Sequence, residues 1–206
     1  MSDRTVDQKS VVAFGSKDRG FTLGLLYTPS SYPPAMTKGI SVTSAIITIS
    51  GSTAETVAGT MFEEKVPLSL DILNREVLLV YAIDMNNSEP EAIAGTNTFT
   101  ESSLSTTSRT TIGHISNTNV LGASSKAIRA AGFVDGGVSF QDTSPETPTA
   151  NALDYIGIVS TNDFFVQVKG FQNIGVMQTN WRMWCARARV SADIYAALVQ
   201  GETLSA

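Results

Sequence analysis

His114 is the only imidazole in the chain and Cys185 the only thiol, so neutral-pH chemistry would have to be built around one of them or around carboxylates. A relay from an acid through histidine to a hydroxyl would need His114. No Gly-x-Ser-x-Gly elbow presents a serine to it. It lies in the Ser/Thr/Asn-rich stretch Gly95–Ser125, where an exposed or capping histidine is the ordinary use. Glu63 and Glu64 are adjacent, and neighbours in a strand point to opposite faces. A glycosidase-like pair would therefore draw on distant acids such as Asp84, Asp135 and Asp154, which read equally well as solvated loop charges. Cys185, between Trp184 and Ala186, reads as a small buried hydrophobe.

Metal and cofactor signatures are also missing. A single cysteine excludes an intrachain disulfide and any multi-cysteine zinc site. Asp142, Glu146, Asp154 and Asp163 are scattered through turns and do not form a calcium loop. There is no P-loop, and Gly136-Gly137 reads as a hairpin turn. Asn86-Asn87-Ser88 matches a glycosylation sequon by chance. The sequence assigns no catalytic residue, no cofactor site and no metal site, and the expectation is that the chain is not an enzyme.

The most distinctive segment runs from Trp181 to Val190. By strand alternation Trp181, Met183, Cys185, Arg187 and Arg189 share one face, while Arg182, Trp184, Ala186, Ala188 and Val190 share the other. The face with Trp184 and Val190 is expected to be core. The opposite face passes from apolar groups to two arginines, as a strand does when it runs from an interface to a polar rim. Trp181, Arg187, Arg189 and Tyr195 are accordingly candidates for contacts between copies, with arginine–carboxylate pairing as the chemistry.

The elements that position these residues have a period of two. Ile40–Ser50 alternates and is rich in β-branched residues, and Glu76–Asp84 is a continuous apolar run suited to a strand covered on both faces. Phe21–Tyr27, Thr56–Val66, Ala131–Phe140, Tyr155–Val159, Phe164–Phe171 and Trp181–Val190 complete a set of eight or so. Turns of helix are expected at Pro67–Leu73, at Ser124–Ala131 and at Ala192–Val199 behind a Ser191 cap. Gly15–Asp18, Thr28–Lys38 and Gln141–Ala150 read as loops. Gly95–Ser125 is too long to be idle; it is expected both to hold weak strands, with Thr110–Ile115 as an edge strand, and to pack against another molecule. The fold class is all-β, an antiparallel β-sandwich and specifically an eight-stranded jelly roll with little helix. Its parts are an N-terminal arm (1–10), the sandwich (11–190) and a C-terminal tail (191–206).

The 206 residues suffice for one buried core without disulfides, with 42% hydrophobic residues. The net charge of −5 argues against a stand-alone nucleic-acid binder. The N-terminus has no secretory h-region and no run is long enough to span a membrane. Synthesis in a cytoplasm is the expectation. Only 16% of residues are charged, while serine and threonine fill roughly a fifth of the positions. Low surface charge reduces the desolvation cost of packing copies side by side.

In its organisation the chain resembles single jelly-roll viral coat proteins over roughly Val11–Val190. The β-rich runs at Ile40–Ser50, Thr56–Val66, Glu76–Asp84, Ala131–Phe140, Tyr155–Phe171 and Trp181–Val190, with long Ser/Thr/Asn/Pro-rich connections, carry that resemblance. It implies an eight-stranded sandwich that tiles a virion shell, and it specifies no catalytic residues. Many such coats carry a strongly basic N-terminal arm. Here the first 38 residues hold Arg4, Lys9, Lys17, Arg19 and Lys38 against Asp3, Asp7 and Asp18, which is only mildly positive. The expected partners are copies of itself, other virion proteins and a host receptor, with weak nucleic-acid contact at most. Met1–Ser10 and Ala192–Leu204 are the segments expected to touch neighbours. Two further readings stay open: a carbohydrate- or receptor-binding sandwich using Tyr27, Tyr32 and Asn119, and a phage tail-tube or decoration protein. A β-sandwich hydrolase would need two acids, or His114 with an acid and a hydroxyl, in one pocket.

Overall fold

The computed structural model describes residues 39–130, 139–143 and 154–205. The described residues form an all-β, antiparallel two-sheet sandwich. Its strands are β1 (Ile40–Val42), β2 (Ile47–Ala54), β3 (Phe62–Pro67), β4 (Glu76–Asn87), β5 (Thr98–Ser105), β6 (Val120–Arg129), β7 (Ser139–Thr143), β8 (Gly157–Val159), β9 (Asp163–Phe171) and β10 (Gln178–Val190). A single helix among the described residues, α1 (Ala192–Ser205), follows. One sheet has the order β1-β10-β4-β8, with β2 also on β10, and the other is β3-β9-β5-β6-β7. If β1 and β2 share the first position and β7 is an added edge, eight successive strand positions interleave as 1-8-3-6 and 2-7-4-5. That is the jelly-roll order.

The central pair is β10 with β4, and it sets the fold. Trp181, Met183 and Cys185 of β10 face Ile83, Met85, Val80 and Leu78 of β4, together with Phe164, Val166 and Leu104 of the second sheet. This corrects the facing expected for β10: the Trp181/Met183/Cys185 side lines the sandwich, and Trp184 is half-buried on the outside. Alternation itself holds. The facing was misread because Ala188 and Val190, on the outer side, are buried too. They pack with Val77 and Leu79 beneath Ile194, Tyr195 and Leu198 of α1. Both faces of this end of the sheet are apolar because each has a cover.

In β4, Trp184 pairs with Ala82 and Cys185 with Val80, so Tyr81 is an extra residue in the ladder. The bulge changes the phase of β4. Leu78 and Val80 face inward before it; Ile83, Met85 and Asn87 do so after it. The unbroken apolar run Val77–Val80 is buried at every position, as its composition predicts.

Glycine is required where elements touch. Gly39 has φ +96°, and a Cβ there would lie 2.8 Å from Ile194 Cδ1, so it lets α1 close on the start of β1. At Gly51 of β2 a Cβ would lie 2.6 Å from the Trp181 ring.

Away from the apolar layer the interior is polar. Asn87 of β4 donates through Nδ2 to the carbonyls of Thr100 (3.2 Å) and Ser124 (3.1 Å), and its Oδ1 accepts from Ser102 Oγ at 2.5 Å. One amide thus ties the two sheets together. The Trp181 indole donates to Thr53 Oγ1 at 3.1 Å, and Thr53 in turn donates to the Glu64 carboxylate. Glu55 is buried and accepts from the backbone N–H groups of Gly170 (2.7 Å) and Met177 (2.9 Å), joining the β2–β3 and β9–β10 connections.

Several local expectations are corrected. The described part of the turn expected at Ser124–Ala131, residues 124–130, is not helical; most of it lies in β6, because pairing with β5 outweighs the weak local preferences of a Ser/Ala/Lys run. Thr110–Ile115 is not a strand; two of its backbone N–H groups pair with side chains instead. Gly113 N–H donates to Ser103 Oγ (2.9 Å) and His114 N–H to Asn117 Oδ1 (3.0 Å). Gly95–Ser125 does hold strands, namely β5 and the first part of β6. The helical turn near Pro67–Leu73 is a 3-10 turn at Ile72–Asn74. The expected strand at Phe21–Tyr27, the loops at Gly15–Asp18 and Thr28–Lys38, the Gly136-Gly137 turn and the arm 1–10 lie outside the described residues.

Two measurements test this interior. Asn87→Ala removes one acceptor and two donor contacts from a closed space, and is expected to cost about 1–3 kcal/mol in urea unfolding. Glu202 of α1 accepts from Ser160 N–H (3.2 Å) and Oγ (2.8 Å). Burial nevertheless raises its carboxyl above the ordinary 4.5. A raised folded-state value gives stability that is present below pH 4.5 and lost as pH rises through that value. The stability of Glu202→Gln relative to the parent protein should therefore increase as pH climbs through this window; a pH-independent difference would refute the assignment.

Candidate functional site

The connection Thr106–Asn119, between β5 and β6, folds over the outer face of the second sheet and buries polar groups there. Gln167 of β9 is fully buried. It accepts from Ser103 Oγ (2.8 Å) and donates to Ser105 Oγ (2.8 Å) and the Glu63 carboxylate (2.9 Å). Glu63 also accepts from Ser108 Oγ (2.6 Å) and Arg109 N–H (2.8 Å). The Arg109 guanidinium donates to Asn119 Oδ1 at 2.9 Å, and Asn119 donates to Thr107 Oγ1. Most bonds in this network serve groups that are wholly or partly buried, so the loop has a fixed shape.

Beside the loop lies a cleft of about 460 Å³. Its floor is the row Glu101, Ser125 and Thr143, which the pairing of β5, β6 and β7 places side by side. Ile112, His114 and Ile115 of the loop form its wall. His114 is exposed, and its ring forms no hydrogen bond with an acid or a hydroxyl of the described residues. Glu63 and Glu64 do point to opposite faces. Glu63 enters the network under the loop, and Glu64 turns inward to Thr53. Among the described residues no group of three His, Cys, Asp or Glu side chains is placed to hold a metal ion.

The proposed contact residues fall in four different settings. Trp181 is 4% exposed and packs edge-on to Phe164, with ring centroids 5.5 Å apart, so its ring is a core group. The Arg187 guanidinium is half-buried. It pairs with Glu76 Oε2 at 2.7 Å and donates to the carbonyls of Ser69 (3.2 Å) and Leu68 (3.1 Å) of its own chain. Arg189 is exposed. Tyr195 is half-buried on α1, against the outer face of the sheet. Asn119, assigned to sugar binding in the carbohydrate reading, is buried under the loop; Tyr27, Tyr32, Asp135 and Glu146 lie outside the described residues.

Sequence reasoning missed the groups that are most exposed. Leu73 is 95% exposed at the β3–β4 turn and Ile115 75% at the β5–β6 loop. At the opposite end of the sandwich Ile174 is 80% exposed and Val57 62%, on the β9–β10 and β2–β3 connections. Isolated aliphatics in loops give no periodic signal, so no pattern marked them. A lone exposed aliphatic is ordinary. Here Ile72 adjoins Leu73, and Val176 follows Ile174.

Compared with models of known protein families the chain matches none, and no curated protein sequence is similar to it. Among the described residues no helix is long and apolar enough to cross a membrane.

Burial raises the Cys185 thiol to about 11, and the charge of Arg187 offsets only part of that rise. At pH 8 roughly one thiol in a thousand is then ionised. Alkylation of the native protein should be slow and should accelerate to the rate of an ordinary thiol at the urea unfolding midpoint. Rapid labelling of folded protein would contradict the placement.

Proposed function

We propose that the chain is a structural, self-assembling subunit, and specifically a coat protein of a virion shell. The observation that carries this reading is the exposure of large aliphatic side chains on loop tips at both ends of a jelly roll. A sandwich that meets neighbours at its ends needs apolar groups there; a solitary one gains nothing from exposing them. The resemblance to single jelly-roll coats noted in the sequence supports the same reading. Several basic residues are engaged within the chain: Lys65 with Asp163 (2.6 Å), Lys126 with Glu89 (2.9 Å), Arg187 with Glu76 (2.7 Å), and Arg109 with asparagines. Arg75, Arg129, Lys169, Arg182 and Arg189 form no ion pair with a described residue, so it is the net charge of −5 that makes nucleic acid at most a weak partner.

Not every hydroxyl speaks for assembly. Thr98, Thr100, Ser102, Ser103 and Ser105 are fully buried within the subunit itself. The part of the serine and threonine content in β5 serves the chain's own interior.

The purified full chain should form closed particles, visible by negative-stain microscopy and eluting far ahead of a 21.9 kDa monomer. Leu73→Asp combined with Ile174→Asp should shift the population to monomers or small oligomers. Both positions are exposed in the subunit, so its urea midpoint should change little, within about 0.5 kcal/mol. Open tubes would favour the tail-tube alternative. A monodisperse monomer at high concentration would overturn the proposal.

A further inference from the structure

The cleft beside the β5–β6 loop has features of a ligand site that assembly does not explain. Its volume of about 460 Å³ lies within the range of small-molecule pockets. Its wall is held by the network under the loop, so the shape exists before anything binds. Glu101 is half-buried on the floor and is the only carboxylate of the lining. Lys169 stands opposite it in the β5–β9 ladder. Even so, Glu101 forms no ion pair or hydrogen bond with any described residue. Most other described carboxylates that are half-buried or deeper are used: Glu55, Glu63, Glu64, Glu76, Glu91, Asp163 and Glu202 all have partners.

We infer that this cleft binds an aliphatic ammonium group. The floor is rich in acceptors: a carboxylate, which only accepts, then the hydroxyls of Ser125 and Thr143. These three side chains come from adjacent strands, about 4.8 Å apart per step, so the row spans roughly 10 Å. A ligand with an ammonium at Glu101 and a second donor between Ser125 and Thr143, one to two strand steps away, fits within that row. The Ile112 and Ile115 side chains would cover the methylenes between them. A short diamine has this form, and so does a lysine side chain reaching in from another protein. The inference stands independently of assembly, since the lining residues all come from one chain.

Isothermal titration calorimetry of the full chain with 1,4-diaminobutane tests it. The expected result is saturable binding at one site per chain, weakened at least tenfold in Glu101→Gln and absent with the neutral analogue 1,4-butanediol. Circular dichroism should show Glu101→Gln folded as the parent is. Nα-acetyl-lysine amide, titrated in parallel, separates the sources: tighter binding than the diamine points to a protein lysine, weaker binding to a free amine. The inference is overturned if the diamine shows no saturation at tens of millimolar, or if Glu101→Gln binds it unchanged.

Discussion

The structure depends on one constraint: the β4–β10 pair is apolar on both faces at one end and must be covered twice. Val77 and Leu79 with Ala188 and Val190 face one way, and Leu78 and Val80 with Cys185 face the other. A sheet of this kind cannot leave either side in water at about 25 cal/mol per Å² of apolar surface. The second sheet covers one side and α1 the other. That requirement fixes where the chain goes after Val190, and it explains why Gly39 must admit Ile194. Beyond Tyr81 the outer face turns polar, with Asp84 and Asn86 on β4 and Asn180 and Arg182 on β10, and no helix of the described residues lies over it. The bulge at Tyr81 marks the change between the two regimes.

The second sheet is held on a different basis. Its β5 strand contributes Leu104 to the apolar cluster, but Thr98, Thr100, Ser102, Ser103 and Ser105 are buried as well. Asn87 engages its inner face, while Gln167 and the Thr106–Asn119 loop engage its outer face. Buried polar groups of this sort contribute modestly to net stability when satisfied, and cost more when one partner is lost. They therefore fix register and loop shape more than they drive collapse. Two hydroxyls, on Thr100 and Thr179, are buried with no hydrogen-bond partner. They face the same space as Asn87, where its acceptor and donors are already engaged.

Legibility in the sequence followed the same division. The apolar strands β4, β9 and β10 were plain from β-branched and aromatic runs, and the sandwich class followed from their spacing. The facing of β10 was not, because alternation cannot distinguish a core from a helix-covered outer face; only the position of α1 decides. Strands β5 and β6 were hidden inside Gly95–Ser125, since a strand made of Thr and Ser looks like a loop when hydropathy is the signal. The candidate site was less legible still. Glu101, Ser125 and Thr143 come together through strand pairing across three strands, and no local spacing encodes that. His114 could be singled out as the sole imidazole, but its neighbours could not.

In the proposed assembly the exposed aliphatics would have to act collectively, on magnitude alone. Covering one of them yields about 1.5–3 kcal/mol, so an end-to-end contact that buries Leu73 or Ile174 against one neighbour gains a few kcal/mol. Association costs about 4–15 kcal/mol in lost translational and rotational freedom. A single such contact is too weak to hold a pair. A subunit that engages several neighbours at once, through both ends of the sandwich, forms its later contacts at high effective concentration, and the sum exceeds the cost. On the proposed reading, apolar groups at both ends of the sandwich would therefore favour a closed, many-membered assembly over a dimer. In the proposed shell, the same weakness of each contact would let a misplaced subunit leave before closure.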